Sequence, residues 1–271
     1  MSMDGDQRDA SGPIVRLSGL CKSFGRLEVL REIDLAFERG KTTVVLGPSG
    51  CGKSVMLKHI VGLLKPDRGE VWFQDNRIDI LNEAALAPIR RQLGFLFQQS
   101  ALFDSMDVRD NVAFPLVEHT DLSAEPRAQR VIEVLDMVGM VDSLEKMPAE
   151  LSGGQRKRVA LARAIVLRPK VILYDEPTTG LDPLRAGTIN DLILKLQHEL
   201  DITSIVVTHD MTSAFRIADV LVMLYDGAVV MQGTPDEFRK SSNPAVQQFS
   251  QLQSTPPAVQ AGGGPDPGAA T

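Results

Sequence analysis

A glycine-rich loop between a short apolar run and a helical pattern constrains the fold of this chain more than any other feature. The apolar run is Thr43–Leu46, and helical spacing extends from Lys53 to Leu64. The loop reads Gly47-Pro48-Ser49-Gly50-Cys51-Gly52-Lys53-Ser54 and fits G-x-x-x-x-G-K-[ST]. Its glycines allow backbone N–H groups to turn towards phosphates. We expect Lys53 to reach the β- and γ-phosphates and the Ser54 hydroxyl to coordinate Mg²⁺.

Composition places the chain among globular proteins with a sizeable core. It has 271 residues, of which 43% are hydrophobic and 24% charged. The net charge of -6 argues against nucleic acid as the main partner, because phosphate binding needs clustered Lys and Arg. Two cysteines do not make a disulfide framework, which fits a reducing compartment. No apolar run approaches the ~20 residues of a membrane span, although the chain could dock onto a membrane protein.

The order of the patterns predicts an α/β fold. Buried-strand patterns occur at Val171–Tyr174, Ile202–Val207 and Val220–Leu224. A helix with one apolar face lies between the first two, carrying Ile189, Leu192, Ile193, Leu196 and Leu200. Hairpin turns are indicated at Asp226-Gly227 and between runs Glu70–Phe73 and Arg77–Ile80. Strand–helix–strand alternation predicts a mainly parallel sheet covered by helices.

Residues 100–150 have few strand signals and predict an inserted helical subdomain. Val131, Ile132, Leu135 and Val138 recur there at helical spacing, and another helix is expected from Arg156 to Leu167. We therefore expect one domain at residues 13–245, with the helical subdomain at about 100–165. We expect residues 1–12 to be a disordered leader and residues 246–271 a C-terminal extension, disordered from about 253.

Two carboxylates follow an apolar strand in Val171–Glu176. Ligands of open α/β sheets bind beyond the carboxyl ends of the strands. If this strand lies beside the strand of the glycine-rich loop, Asp175 faces the Mg²⁺ and Glu176 can orient and deprotonate an attacking water. The alternative is a solvated pair of acidic residues at the end of a strand.

Four single residues remain open on pattern alone. His209 follows the strand Ile202–Val207 and could point towards the γ-phosphate, or it could be a packed or surface histidine. Gln98 also follows a predicted strand and could be an ordinary loop residue. Phe24 could stack on adenine or belong to the core. Cys51 is expected to fill space in the loop.

A second anion-binding element is indicated at Ser152-Gly153-Gly154, which opens the Arg156–Leu167 helix. Ser152 can cap the helix, and the N–H groups that follow can bind an anion. The alternative is a glycine-rich linker.

Together these motifs resemble the ATP-binding cassette (ABC) ATPase family over residues 14–240. Phe24 matches the adenine-stacking aromatic, Gly47–Ser54 the Walker A loop and Gln98 the Q-loop. Leu151–Gln155 matches the signature motif, Val171–Glu176 Walker B, Gly180–Asp182 the D-loop and His209 the switch histidine. The resemblance implies a P-loop NTPase (RecA-like) core with a parallel sheet, an antiparallel β subdomain and an inserted α-helical subdomain.

The resemblance also implies the cofactors and the roles of the site residues. ATP and Mg²⁺ are the expected cofactors, with Glu176, His209 and Gln98 as catalytic residues. The metal would be held by Ser54, Gln98 and Asp175. In this family two cassettes pair head to tail, and each ATP lies between Walker A of one and the signature motif of the other. The partner's contribution would come from Ser152, Gly153, Gly154, Gln155 and Asp182.

A finer resemblance, in residues 101–120 and 243–249, is to the ATPases of Mla/Mce-type lipid transporters. It implies transport of phospholipid or a related lipid at the cytoplasmic face of a bacterial inner membrane. Implied partners are an integral membrane permease, a small STAS-domain subunit and an Mce-type substrate-binding protein, with no nucleic acid. The alternatives are another cargo, or a soluble single-cassette ATPase without a permease, such as the cluster-assembly type.

Apolar residues directly after Gln98 could form the permease-docking surface, although ordinary subdomain core would account for half of them. They are Phe103, Val108, Val112, Phe114 and Leu116.

Overall fold

The computed structural model describes residues 12–254, with side chains to Gln251. The leader expected at residues 1–12 lies outside the described residues except for Gly12. The tail expected to be disordered from about residue 253 lies outside them from residue 255 onwards. The division of the chain at residues 13 and 245 therefore stays a prediction.

A six-stranded sheet forms the centre of the molecule. In spatial order its strands are β10 (Ala228–Gly233), β9 (Val220–Tyr225), β3 (Thr42–Leu46), β8 (Thr203–Thr208), β7 (Val171–Asp175) and β6 (Leu93–Leu96). All neighbouring pairs are parallel except β9 with β10, which the Asp226-Gly227 turn joins as predicted. Every residue of β3, β7 and β8 is buried, as expected of parallel strands covered on both faces.

The strand that carries Asp175 does not lie beside the strand of the glycine-rich loop, so the condition stated for Asp175 is not met. Strand β8 lies between β3 and β7 and pairs in parallel with both. The two functional strands nevertheless end at the same edge of the sheet. The order of parallel strands depends on crossover connections rather than on local sequence, so the strand patterns could not specify it.

A second, antiparallel sheet has the order β2-β1-β4-β5. Its strands are β1 (Val15–Phe24), β2 (Leu27–Phe37), β4 (Arg68–Phe73) and β5 (Asn76–Arg77). The hairpin predicted from Glu70 to Ile80 is present, but β5 is much shorter than expected. The side chain of Asp79 accepts the hydrogen bond of the Val71 N–H at 2.9 Å, so a carboxylate replaces the backbone carbonyl that would continue the ladder.

Nine α-helices are described between residues 12 and 254. They are α1 (Lys53–Ile60), α2 (Glu83–Arg90), α3 (Val108–His119), α4 (Ala124–Met137), α5 (Gly153–Ile165), α6 (Pro183–Leu200), α7 (Met211–Ile217), α8 (Pro235–Arg239) and α9 (Pro244–Ser254). None of these helices is both long and apolar enough to cross a bilayer. Between β6 and β7 the described chain contains helices and turns but no strand, which agrees with the predicted helical insertion.

Two helix boundaries differ from the sequence patterns, and one helix crosses an expected domain boundary. Helix α1 ends at Ile60 rather than Leu64, because Gly62 is left-handed and breaks the helical path. Helix α5 begins at Gly153 rather than Arg156, so the two glycines form its first turn. Helix α9 crosses the boundary expected at residue 245, and its Val246 and Phe249 are buried in the core.

Two apolar clusters cover the two faces of the parallel sheet. One packs the helical subdomain against the sheet, and the other packs the antiparallel sheet and α1 against the opposite face. Alternate residues of β3 point into each, with Val44 in the first cluster and Val45 in the second. Of the apolar set predicted in α4, Val131, Leu135 and Val138 are buried, whereas Ile132 is 40% exposed and lies off that face.

Candidate active site

The glycine-rich loop connects β3 to α1, as the sequence predicts. Gly47 must be glycine, because a Cβ there would lie 2.2 Å from the carbonyl oxygen of Leu224 on β9. Gly52 precedes α1 with φ 104°, a left-handed conformation that favours glycine. No side chain of the described residues caps α1. Its first-turn N–H groups therefore remain available to an anion at the positive end of the helix dipole.

The Lys53 ammonium is held at the centre of the loop. It is 5% exposed and donates hydrogen bonds to the carbonyl oxygens of Gly47 at 2.7 Å and Pro48 at 3.0 Å. Its Nζ also lies 3.6 Å from Oε1 of Glu176. A buried cation is thereby placed between the loop and the carboxyl end of β7.

The P-loop cavity brings residues from distant parts of the chain together. Its volume is about 580 Å³. Its lining residues are Phe24, Val29, Ser49, Gly50, Gly52, Lys53, Ser54, Val55, Gln98, Glu176, Thr179 and His209. Phe24 is 48% exposed, so its ring can stack on a base. Gly47, Pro48 and Cys51 belong to the loop but do not line this cavity.

The Cys51 thiol is buried behind the loop. Burial raises its pKa, and the nearby Lys53 charge only partly opposes that rise. A protonated, buried thiol is a poor nucleophile and a poor metal ligand. The expectation that Cys51 fills space therefore agrees with its surroundings.

Asp175, the last residue of β7, lies against the start of α1. Its Oδ1 accepts a hydrogen bond from the Ser54 hydroxyl at 2.7 Å. Burial raises the pKa of Asp175, and the Ser54 hydrogen bond opposes that rise. A cation would favour the ionised form of this buried carboxyl group. A hydroxyl, a carboxylate and the nearby Gln98 amide make an all-oxygen donor set, which suits Mg²⁺.

The described residues contain no group of three or more His, Cys, Asp or Glu side chains that could hold a metal by themselves. A metal at Asp175 would therefore need further ligands, such as phosphate oxygens and water. Mg²⁺ is commonly bound in this way, through one or two protein oxygens and the phosphates of a substrate.

The Glu176 backbone is strained. Its φ of 49° is in the left-handed region, which is uncommon for a residue other than glycine. Its N–H donates to the carbonyl oxygen of Val207 on β8 at 2.9 Å, and its own carbonyl accepts from Lys157 at 3.3 Å. Such a conformation persists when the surrounding structure holds it at several points.

Three side chains and the His209 N–H converge on one oxygen of the Glu176 carboxylate. Its Oε2 accepts from the hydroxyls of Thr179 at 3.1 Å and Thr208 at 3.3 Å, and lies 2.9 Å from Nδ1 of His209. With Lys53 on the other carboxylate oxygen, this group is fixed in orientation beside the cavity. A carboxylate held in this way can accept a proton from a water in the cavity.

Sequence reasoning missed three of these partners, namely Lys157, Thr179 and Thr208. Lys157 had a readable signal, because it lies on the apolar face of α5 between Gly154 and Leu161, where a charged residue is unusual. The threonines carried no comparable signal, since hydroxyl residues near strand ends are common.

The signature residues lie elsewhere in the same chain. Ser152 caps α5 as predicted, accepting from the Gln155 N–H at 3.3 Å, and the Gln155 side chain accepts from the Ser152 N–H at 2.9 Å. This reciprocal capping box occupies the N–H groups of Ser152 and Gln155 and does not use those of Gly153 and Gly154 between them. Ser152, Gly154 and Gln155 line a cavity of about 430 Å³ that is separate from the P-loop cavity.

The D-loop lies beside the signature residues rather than in the P-loop cavity. Asp182 caps α6 by accepting from the Arg185 N–H at 2.9 Å. Arg185 lines the signature cavity, and a Cβ at Gly153 would lie 3.6 Å from Leu181. The P-loop residues and the signature residues of one chain therefore lie on separate surfaces.

An apolar groove lies beside the Q-loop. Among its lining residues are Phe95, Phe97, Phe103, Phe114 and Arg163, and its volume is about 550 Å³. The rings of Phe103 and Phe114 lie 4.8 Å apart. Of the five residues expected on a docking surface, these two line the groove, whereas Val108, Val112 and Leu116 are buried in the core.

Comparisons with known proteins agree with this geometry. A sequence profile of the family described as ABC transporter matches residues 30–179, more than half of the chain. The chain belongs to the ABC transporter family. It is an ATP-binding cassette, and it hydrolyses ATP in support of transport.

Among relatives of the cassette, "Probable ribonucleotide transport ATP-binding protein mkl" of Mycobacterium leprae is 41% identical over 92% of this chain and 72% of its own length. The "Intermembrane phospholipid transport system ATP-binding protein MlaF" of Haemophilus influenzae is 40% identical over 90% of this chain and 92% of its own. A solved dimeric ATP-binding cassette in a post-hydrolysis state, bound to ADP and Pi, has a TM-score of 0.75 at 35% identity. That match covers 82% of this chain and 98% of the other.

Proposed function

We propose that this cassette hydrolyses ATP at the P-loop cavity, with Glu176 as general base, as one half of a homodimer that powers a lipid transporter. The observation that carries the proposal is the meeting of Ser54, Asp175 and Glu176 at one edge of the sheet. There a phosphate-binding helix start and an oriented base line one cavity, and a candidate metal carboxylate is hydrogen-bonded to Ser54 in that lining.

ATP would enter with its adenine on Phe24 and its phosphates along the loop N–H groups and Lys53. Ser54, Asp175 and Gln98 would hold Mg²⁺, which would supply positive charge to offset that of the phosphates. Glu176 would take the proton of the attacking water, and the His209 ring would hold the Glu176 carboxylate in register for that transfer.

The second copy would complete the site. The signature residues Ser152, Gly153, Gly154 and Gln155 line or border a surface separate from the P-loop cavity, with Asp182 beside it. The Gly153 and Gly154 N–H groups, which the capping box does not use, are suited to an anion, so they would face the γ-phosphate held by another copy. The dimeric state of the solved cassette that this chain resembles supports this arrangement.

The cargo we propose is phospholipid or a related lipid. The MlaF relative, which is named for phospholipid transport, is matched over 92% of its length, whereas the mkl relative is matched over 72%. An integral membrane permease would seat a segment in the groove at Phe103 and Phe114, placing the cassette at the cytoplasmic face of a bacterial inner membrane. A STAS-domain subunit and an Mce-type substrate-binding protein complete the proposed assembly.

The base role is tested with Glu176→Gln. The amide keeps the size of the side chain but loses its basicity, so kcat should fall by roughly 10²–10⁴-fold, or about 3–5 kcal/mol of barrier. ATP binding should be unchanged, and fluorescent-nucleotide titration measures it. Hydrolysis near the wild-type rate would remove Glu176 from this role.

The transport role is tested by purifying the native complex from detergent-solubilised membranes, followed by mass spectrometry of its subunits and bound lipids. Recovery of a permease with phospholipid is the expected result. Recovery of no integral membrane protein would favour a soluble single-cassette ATPase instead.

A further inference from the structure

A buried lysine on the signature helix joins three functional segments. Lys157 is 4% exposed, and its Nζ donates to the carbonyl oxygen of Gln98 at 3.0 Å and to that of Glu176 at 3.3 Å. The first carbonyl belongs to the Q-loop after β6 and the second to the end of the β7 segment. Lys157 itself lies five positions after Ser152, which caps the same helix.

Both segments that Lys157 binds are strained. Glu176 has φ 49°, and in the Q-loop Ser100 and Ala101 have φ 65° and 49°. A left-handed residue other than glycine is strained at such sites and needs support from its surroundings. Helix α5 provides that support with two cations, since Arg163 also donates to the Ser100 carbonyl oxygen at 3.1 Å.

The chemistry of the contact favours an alignment role over simple space filling. Burial lowers the pKa of Lys157, while the Glu176 and Asp175 carboxylates oppose that shift. An apolar side chain of the same length would avoid the cost of desolvating an amine. What only a donor provides is a fixed position for the two peptides whose carbonyls it binds.

We propose that Lys157 is a positioning residue that holds the Glu176 and Gln98 peptides at fixed points on the signature helix and so keeps the Glu176 carboxylate aligned for catalysis. This inference rests on the proposed role of Glu176. The proposed role of Lys157 also concerns the dimer, because the helix that carries Lys157 would present Ser152 to the second copy. A shift of α5 on dimer closure would be passed to the catalytic peptide through one side chain.

The test measures steady-state ATP hydrolysis by the full chain with Lys157→Met, which keeps an unbranched side chain and removes the donor. A displacement of about 1 Å in a catalytic group can cost about 10²-fold. We expect kcat to fall by about 10–100-fold, with KM for ATP and nucleotide affinity within about threefold of wild type. Lys195→Met is the matched control, since Lys195 also donates to a backbone carbonyl, that of Met137, but on the exposed surface. It should leave kcat unchanged.

A double-mutant cycle separates positioning from a structural role. If Lys157 acts through Glu176, Lys157→Met should change the residual rate of Glu176→Gln by less than about threefold. An equal loss in both backgrounds, a normal kcat for Lys157→Met, or a loss confined to nucleotide affinity would each overturn the inference. Should the methionine variant fail to fold, Lys157→Gln keeps N–H donors on a side chain one atom shorter, and a reduced kcat at unchanged KM is expected for it.

The failures of the two proposals are distinguishable. Unchanged hydrolysis in the Glu176→Gln single variant would remove the base role and this inference with it. Loss of hydrolysis in Glu176→Gln together with normal hydrolysis in Lys157→Met would remove the positioning role alone.

Discussion

Asn111 holds the loop that precedes α3 and with it the wall of the groove beside the Q-loop. The residue is fully buried. Its Nδ2 donates to the carbonyl oxygens of Phe103, Met106 and Asp107 at 3.0, 2.9 and 3.0 Å. Its Oδ1 accepts from the Phe103 N–H at 2.8 Å. One side chain therefore satisfies four backbone groups of a loop that has no regular structure.

The substitution Asn111→Ala removes this side-chain amide and its hydrogen bonds. The amide has two N–H protons, which the three carbonyls share, so the side chain makes three full hydrogen bonds, two donated and one accepted. At about 0.5–1.5 kcal/mol net each, they contribute about 1.5–4.5 kcal/mol. That is a large share of the roughly 5–15 kcal/mol by which folded proteins are stable. The comparison variant is Asn82→Ala, because Asn82 makes one cap hydrogen bond, to the Ala85 N–H at 2.9 Å. Loss of such a cap costs about 0.5–2 kcal/mol.

Urea denaturation followed by circular dichroism measures both changes in the free energy of unfolding. We expect the Asn111 variant to lose at least twice as much as the Asn82 variant. We also expect weaker recovery of the permease from solubilised membranes, because Phe103 loses both of its hydrogen bonds to Asn111, while nucleotide binding at the P-loop cavity persists. Equal destabilisation by the two variants would contradict the idea that the hydrogen bonds of Asn111 act together.

Two further predictions concern α5 and α1. Ser152→Arg should abolish ATP hydrolysis by blocking dimer closure at the signature surface, while nucleotide affinity stays unchanged. A turnover assay measures the hydrolysis, and fluorescent-nucleotide titration measures the affinity. Weak nucleotide binding by this variant would count against the two-sided site. His59 is buried, its Nδ1 lies 2.8 Å from the Val55 carbonyl oxygen, and burial lowers its pKa from the ordinary 6.5. Protonation therefore favours the unfolded chain, so stability should be lost as pH falls below about 6.5 and down to the folded pKa. Urea denaturation across that range should show a shallower loss for His59→Gln, and an unchanged slope would contradict the argument.

The local parts of the site were readable from sequence because each depends on a short pattern. Gly47–Ser54 encodes a loop and a helix start, and the apolar run from Val171 encodes a strand that ends in carboxylates. The capping box at Ser152 and Gln155 also has a short pattern, S-x-x-Q. The sequence analysis interpreted Ser152 as a cap but did not include Gln155, so it predicted that α5 begins at Arg156 rather than at Gly153.

The contacts between segments were not readable, because nothing local specifies them. The position of β8 between β3 and β7 depends on which strands pair after the chain has crossed over several times. Lys157 meets Gln98 and Glu176 only because α5 packs across the ends of β6 and β7. Ile132 was misassigned for a related reason, since helical spacing predicts a face without saying how wide it is.

The strand order also has a consequence for synthesis of the chain. Strand β3 emerges early, yet both of its neighbours, β8 and β9, begin only at Thr203 and Val220. Until β8 has left the ribosome, the central strand has no partner on either side, and its second edge stays unpaired until β9 follows. Pairings between such distant segments form slowly and expose the chain to aggregation. We therefore expect nascent chains arrested before Thr203 to be clients of chaperones rather than partly active ATPases.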